Sequence, residues 1–240
     1  MNLVRFIRSN NYLPLIIFAV SMGFLEAIVV VYIREIYYPD GFRFPLKELP
    51  PRIILIEWVR EISTLLMLGS VAWISGKTFL KRFSVFLFIF GIWDIIYYAG
   101  LKIFLNWPES LITWDILFLI PVTWAGPVLV PVICSLLMIV AALIFDIHLF
   151  RNRLKKLAVM ELVLLLSGAT TILYTFIIDF SMMIIRGDFI RKFFTLAEDT
   201  EFLEILTKWE PGYYNWGIFT LGILLIGASL FLVHKRSKEK

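Results

Sequence analysis

The chain has 240 residues, of which 60% are hydrophobic, and a mean hydropathy of +0.86. A soluble domain is typically about 45–50% apolar, so this composition excludes an ordinary water-soluble fold and indicates lipid as the main solvent. The net charge of +4 does not indicate nucleic acid, because cytoplasmic loops of membrane proteins are enriched in Lys and Arg. We expect membrane lipids as partners and no nucleic acid, and the residues indicate no particular protein partner.

Six apolar runs predict an all-α polytopic membrane protein, with one integral membrane domain over residues 1–240. The first run is longer than the apolar core of a signal peptide and contains Glu26, so we expect a retained helix. The predicted transmembrane helices lie near residues 13–36, 53–75, 83–104, 122–145, 157–185 and 216–234.

Six spans place every strongly basic cluster on the same side of the bilayer. By the positive-inside rule that side is cytoplasmic, so we expect a multi-pass protein of the cell (cytoplasmic) membrane with both termini in the cytoplasm. The clusters are Arg5 and Arg8; Lys77, Lys81 and Arg82; Arg151, Arg153, Lys155 and Lys156; and Lys235, Arg236, Lys238 and Lys240.

Two further segments are too short or too polar to span. Residues 108–121 are apolar, with Pro108 and Pro121 at their ends, and predict a short re-entrant or interfacial helix on the outer side. Residues 188–209 mix apolar and charged positions and predict an amphipathic segment at the outer surface.

Charged residues inside the apolar runs collect toward the extracytoplasmic half. Polar stripes recur at helical spacing from Glu57 to Thr64, from Asp94 to Lys102 and from Ser167 to Asp179, and predict three helix faces around one cavity. Charges at this depth mark functional sites in membrane proteins. As acid, base or cation ligands the sequence offers Glu57, Glu61, Asp94 and Asp115. As substrate-binding residues it offers Glu26, Arg34, Arg60, Tyr98, Lys102 and Asp179, with Arg34, Arg60 and Lys102 holding an anionic head group.

The sequence contains no recognisable cofactor motif. The two histidines, His148 and His234, fall at helix ends, and the nucleotide-binding and serine- or cysteine-nucleophile motifs are missing. We therefore expect no haem, flavin or nucleotide, although the carboxylates could hold a divalent cation whose ligands the sequence does not identify. Carboxylates with Arg and Lys are compatible with catalysis or with binding alone, so the residues do not decide whether the protein is an enzyme.

Three functions fit these residues. The first is a site in the extracytoplasmic half that binds or processes a lipid-like or isoprenoid substrate. The second is an ion- or proton-coupled transporter of small solutes, in which Glu26 and Asp94 carry the ion. The third is an accessory or assembly subunit whose charges form a structural network between helices. The concentration of charge in one half favours the first, because a transport path needs access from both faces.

Overall fold

A computed structural model describes residues 12–191, 196 and 199–239. Within them the chain forms seven helices and one two-stranded antiparallel hairpin. The elements are α1 (Tyr12–Tyr37), α2 (Pro51–Ser75), α3 (Phe79–Leu105), β1 (Trp114–Phe118), β2 (Trp124–Pro127), α4 (Leu129–Phe150), α5 (Val159–Arg186), α6 (Thr200–Leu206) and α7 (Trp216–Lys238).

Five of these helices, α1, α3, α4, α5 and α7, are long and apolar enough to cross a membrane. This confirms the predicted all-α polytopic class. Helix α2 has 25 residues but is less apolar, because its first half carries Arg52, Glu57, Arg60 and Glu61. The sixth predicted span is therefore present as a helix, and its charged face makes it less apolar than the other five.

The helices pack through small residues that let backbones approach closely. Helices α1 and α3 run parallel, with Gly100 against Ala27, whereas α4 returns antiparallel to α3 with Ser135 at Gly91. Helices α5 and α7 form an antiparallel pair in which Gly168 faces Gly222. Helix α2 lies alongside α1 and α3, since its buried residues share their apolar core.

The segment between α3 and α4 forms a β-hairpin, so the predicted short helix over 108–121 is wrong. Strand β1 pairs with β2 from Trp114 opposite Pro127 to Phe118 opposite Trp124. Trp124 stacks on Phe176 at a ring separation of 5.9 Å, and Phe176 lies ten residues inside α5. The hairpin is therefore re-entrant, which agrees with non-helical backbone being tolerated at depth where protein surrounds it.

The predicted amphipathic segment over 188–209 contains α6. Asp199 caps this helix by accepting a hydrogen bond from the Phe202 amide at 3.1 Å. Phe202 is buried against Phe180 and Phe189, while Glu201 and Glu204 are exposed, so the described part is amphipathic. Arg5, Arg8, Lys240 and residues 192–195 and 197–198 lie outside the described residues.

Candidate functional site

One cavity opens among the helices at the end of the molecule that carries the hairpin, called here the hairpin end. Its volume is about 280 Å³, near the lower limit of roughly 300–1,000 Å³ for small-molecule sites. One part of its wall is charged and the larger part is apolar. The charged and phenolic lining residues are Glu26, Arg34, Lys47, Glu57, Arg60, Glu61, Asp94, Tyr38 and Tyr97.

A single guanidinium organises most of the charged wall. Arg60 pairs with Glu26 of α1 and, within α2, donates to Glu57 Oε2 at 2.8 Å and 3.0 Å. Its Nη2 also lies 3.9 Å from Glu61 Oε1. Thr64 completes the group by donating to Glu26 Oε2 at 3.0 Å. These residues, Glu26, Glu57, Arg60, Glu61 and Thr64, form what we call the Arg60 cluster; its three carboxylates share one cation.

The hairpin tip reaches the Arg60 cluster directly. The Leu119 amide donates to both oxygens of Glu61, each at 3.0 Å. Glu61 lies ten residues inside α2, about 15 Å along the helix at 1.5 Å per residue. The hairpin therefore contributes a backbone donor to the site, and its residues Ile116–Leu119 form part of the cavity wall.

A second ion pair fixes the base of the hairpin. Arg34 Nη2 of α1 donates to Asp115 Oδ1 at 2.7 Å, and the Asp115 side chain is fully buried. The Arg34 guanidinium also lies over two rings, 3.9 Å from the centroid of Trp107 and 4.3 Å from that of Phe42. Burial raises the pKa of the Asp115 carboxyl above its ordinary value, while Arg34 opposes that shift.

Asp94 lines the cavity from α3, apart from both arginines. Its Oδ2 accepts a hydrogen bond of 2.6 Å from Ser135 of α4. Tyr97 lies one turn further along α3 and lines the cavity too, whereas Tyr98 is buried in a core with Leu101 and Val128. Asp94 thus supplies a carboxylate with a neutral partner.

At the opposite end of the bundle, called here the basic end, the buried acids are paired in a different way. Asp146 accepts from Tyr12, Lys81 and Ser84 at 2.8, 2.7 and 2.6 Å. Glu161 accepts from Arg236 at 2.7 and 2.8 Å. These two buried acids each have a cation of their own, as expected of structural ion pairs. In the Arg60 cluster the Glu57 Oε1 atom is buried with no hydrogen-bond partner among the described residues.

Three of the predicted substrate-binding residues, Tyr98, Lys102 and Asp179, do not line the cavity. Lys102 donates to the carbonyl oxygens of Asn106 and Pro108, at 3.2 and 3.0 Å. Asp179 is half-buried on α5 but does not line the cavity.

The prediction that the α5 stripe faces the common cavity is wrong. Its Thr171 donates back to Ser167 O at 2.8 Å, and Thr175 contacts Tyr214 at 2.7 Å. The threonine hydroxyl groups of this stripe are therefore hydrogen-bonded within α5 and to the segment before α7.

The three cations predicted to hold an anionic head group have partners within the protein. Arg34 and Arg60 are paired with carboxylates, and Lys102 binds backbone carbonyls. The remaining cation of the described wall is Lys47, whose Nζ lies 5.4 Å from the Tyr38 ring centroid in the loop after α1.

Sequence reasoning missed three contributors. They are Ser135, the cover formed by Phe42 and Leu46 in the loop after α1, and the Leu119 amide. Ser135 interrupts an otherwise apolar stretch of α4, and that interruption is a usable signal. Nearly every residue type has a backbone amide, so the sequence gives no signal for the Leu119 contact.

Among the described residues, no three His, Cys, Asp or Glu side chains are positioned to hold a metal ion. Comparison of the chain with protein-family models, curated proteins and solved structures finds no match. The geometry of the cavity is therefore the basis for inferring a function.

Proposed function

We propose that the protein binds an amphiphilic, lipid-like or isoprenoid molecule in this cavity. The observation that carries the proposal is a wall divided into a charged part at the Arg60 cluster and an apolar part. Such a division suits a molecule with a polar head and a hydrocarbon body. The apolar wall includes Val30, Ile33, Ile54, Trp58, Phe118, Val122, Phe180 and Ile184.

The helix packing supports entry from the membrane. Helices α2 and α5 both contribute to the wall, yet they are not packed against each other. Trp58 lines the cavity from α2 and is 38% exposed. A gap between these two helices would let a hydrocarbon chain enter sideways without passing through water.

The charge balance favours a ligand site over a purely structural network. A structural pair gains from matched charges and complete hydrogen bonding, and Asp146 and Glu161 follow that pattern. The Arg60 cluster has three acids for one cation and leaves Glu57 Oε1 unpartnered among the described residues. Buried polar atoms of this kind require an explanation, and a bound molecule supplies one.

The apolar packing near the basic end of the bundle argues against a transport path. There α1, α2 and α3 close on apolar residues, including Leu15, Ala19, Leu68 and Ile89. A transported solute would have to cross this packed region, whereas a ligand taken from one leaflet would not.

For the location we propose a cell membrane, with both chain termini in the cytoplasm. The support is that Lys77, Arg151, Lys155 and Lys235 lie in or beside the turns and helix ends of the basic end, as the positive-inside rule expects of a cytoplasmic face. The cavity then belongs to the extracytoplasmic half.

Tryptophan quenching tests the proposed function. The purified protein in dodecyl maltoside is titrated with dodecanol that carries bromine on its chain, which quenches indole fluorescence on contact. Trp58 and Trp93 line the cavity, so we expect a saturable quenching component that disappears in the Trp58→Phe, Trp93→Phe double variant. Trp73 is 65% exposed and outside the cavity wall, so Trp73→Phe should keep that component. Quenching that only follows the probe-to-detergent ratio, without saturation, would contradict the proposal.

A further inference from the structure

The charged wall of the cavity has more acids than available cations. Four carboxylates line it, on Glu26, Glu57, Glu61 and Asp94. Arg60 is shared by the first three, and Asp94 is hydrogen-bonded to the neutral Ser135. The other lining arginine, Arg34, is paired with Asp115, and the third lining cation, Lys47, lies in the loop after α1 with its Nζ 5.4 Å from the Tyr38 ring centroid. The described wall therefore has more carboxyl groups than cations that could balance them.

An anionic head group would meet carboxylates there rather than a free guanidinium. Because the cavity is surrounded by apolar helices, the repulsion would be weakly screened. A phosphate would also need several donors, and two donors of the described wall, the Arg60 guanidinium and the Leu119 amide, already donate to Glu57 and Glu61. The arrangement thus disfavours phosphate.

A cationic head group meets suitable partners in the same place. Glu57 is at least nine-tenths buried, lines the cavity and has an Oε1 atom that accepts no hydrogen bond from the described residues. The aromatic rings of Trp58, Trp93 and Tyr97 line the wall beside it, and aromatic rings attract cations. The Glu57 Oε1 atom can accept a hydrogen bond from an N–H donor of the ligand, and the aromatic rings can attract its positive charge.

We infer that the ligand of the proposed site carries an ammonium head group, which lies at Glu57 and Asp94 with its hydrocarbon chain along the wall of Trp58, Phe118 and Phe180. This inference rests on the proposed function and names the class of ligand for it. An organic ammonium fits better than a metal ion, because the described residues offer no group of three metal ligands. The ammonium would bring the positive charge that the Arg60 cluster lacks.

Competition against the brominated dodecanol probe tests this at pH 7. The competitors are dodecylamine, which is protonated at that pH like a lysine side chain, dodecyl phosphate, unlabelled dodecanol and the soluble amine butylamine. We expect dodecylamine to compete best. Dodecanol should compete at least about tenfold more weakly than dodecylamine, and dodecyl phosphate should be the weakest of the three. Butylamine should compete poorly, because it lacks the chain that contacts the apolar wall.

Variants then locate the head group. Glu57→Gln should weaken dodecylamine about tenfold, since a charge-assisted hydrogen bond becomes a neutral one, and should leave dodecanol unchanged. Asp94→Asn is a second variant of the same kind, useful if Glu57→Gln folds poorly. The matched control is Glu204→Gln, which removes the same charge from an exposed position on α6 outside the cavity wall and should change neither competitor.

The outcomes separate the two proposals. If dodecyl phosphate or dodecanol competes as well as dodecylamine, or if both variants bind dodecylamine normally, the ammonium inference is wrong while the amphiphile site stands. If butylamine competes as well as dodecylamine, the apolar wall is not used and the proposed function is wrong. If the brominated probe shows no saturable binding and no competitor acts, both proposals are overturned.

Discussion

At the scale of residues, Arg60 is the centre on which the charged wall depends. It contacts carboxylates from two helices, Glu26 on α1 and Glu57 on α2, and lies 3.9 Å from a third on Glu61. Without a cation at this position the three acids would face one another in a poorly solvated region. Arg60 therefore links α1 to α2 through the carboxylates of Glu26 and Glu57.

Replacing Arg60 by Gln should destabilise the protein strongly. Removing one partner of a buried ion pair costs about 3–5 kcal/mol, because an uncompensated charge remains. We expect a clear fall in the midpoint of thermal unfolding in detergent. Arg52→Gln is the matched control: Arg52 is exposed on the same helix, and its replacement should change stability by no more than about 0.5 kcal/mol.

The double variant Glu57→Gln, Arg60→Gln tests the cause of that loss. It removes one acid together with the cation, so it should recover part of the stability lost in Arg60→Gln alone. Equal loss in the single and the double variant would show that Arg60 acts by packing rather than by charge.

The sequence indicated much of this chemistry through spacing. Glu57, Arg60, Glu61 and Thr64 share one face of a helix by their separation alone, and all four belong to the Arg60 cluster. The pairing of Arg34 with Asp115, 81 positions apart, depends on how the chain folds back. No periodicity within one helix contains that information, and so an anionic head group was predicted to bind at arginines that are in fact paired with carboxylates.

At the scale of elements, the segment over 108–121 shows where prediction from pattern fails. Its apolar run between two prolines suited either a short helix or a strand, because short runs lack a decisive period. Its partner strand, Trp124–Pro127, was assigned to the start of the following helix. The two neighbouring segments pair with each other, so the re-entrant element is formed by strands and not by the predicted helix.

The pair formed by α5 and α7 allows a sharp test of small-residue packing. A Cβ atom on Gly168 would lie 2.7 Å from the Gly222 carbonyl oxygen and 2.6 Å from Ile226 Cγ1, so the helices would have to separate. Gly168→Ala should therefore destabilise the protein by about 1–3 kcal/mol. The measurement is the thermal unfolding midpoint in detergent.

Gly227 provides the control on the same pair, since nothing lies within 4 Å of a Cβ built there. Gly227→Ala should be neutral or stabilise by up to about 1 kcal/mol, because Ala is the better helix former. If both replacements behave alike, close packing of α5 on α7 is not what holds the pair together.

At the scale of the whole molecule, the bundle has two unlike ends. The hairpin end holds the cavity, the re-entrant hairpin and an excess of acids. The basic end holds matched ion pairs such as Asp146 with Lys81. Hydropathy predicted the all-α polytopic class, and five of the six predicted spans are helices long and apolar enough to cross a membrane. The sequence predicted a cavity between polar helix faces, but it did not predict that α5 would line that cavity with apolar residues such as Phe180 and Ile184.

The proposed orientation predicts which end can be labelled from outside. The chain has one cysteine, Cys134, so Cys134→Ser gives a background without thiols. In that background Glu204→Cys, at an exposed position of α6, should react with a membrane-impermeant maleimide on spheroplasts. Lys155→Cys, exposed at the basic end, should react only after lysis, because the positive-inside rule places it in the cytoplasm. The cysteine-free parent controls for background labelling. Labelling of Lys155→Cys on intact spheroplasts would reverse the orientation and move the cavity to the cytoplasmic leaflet.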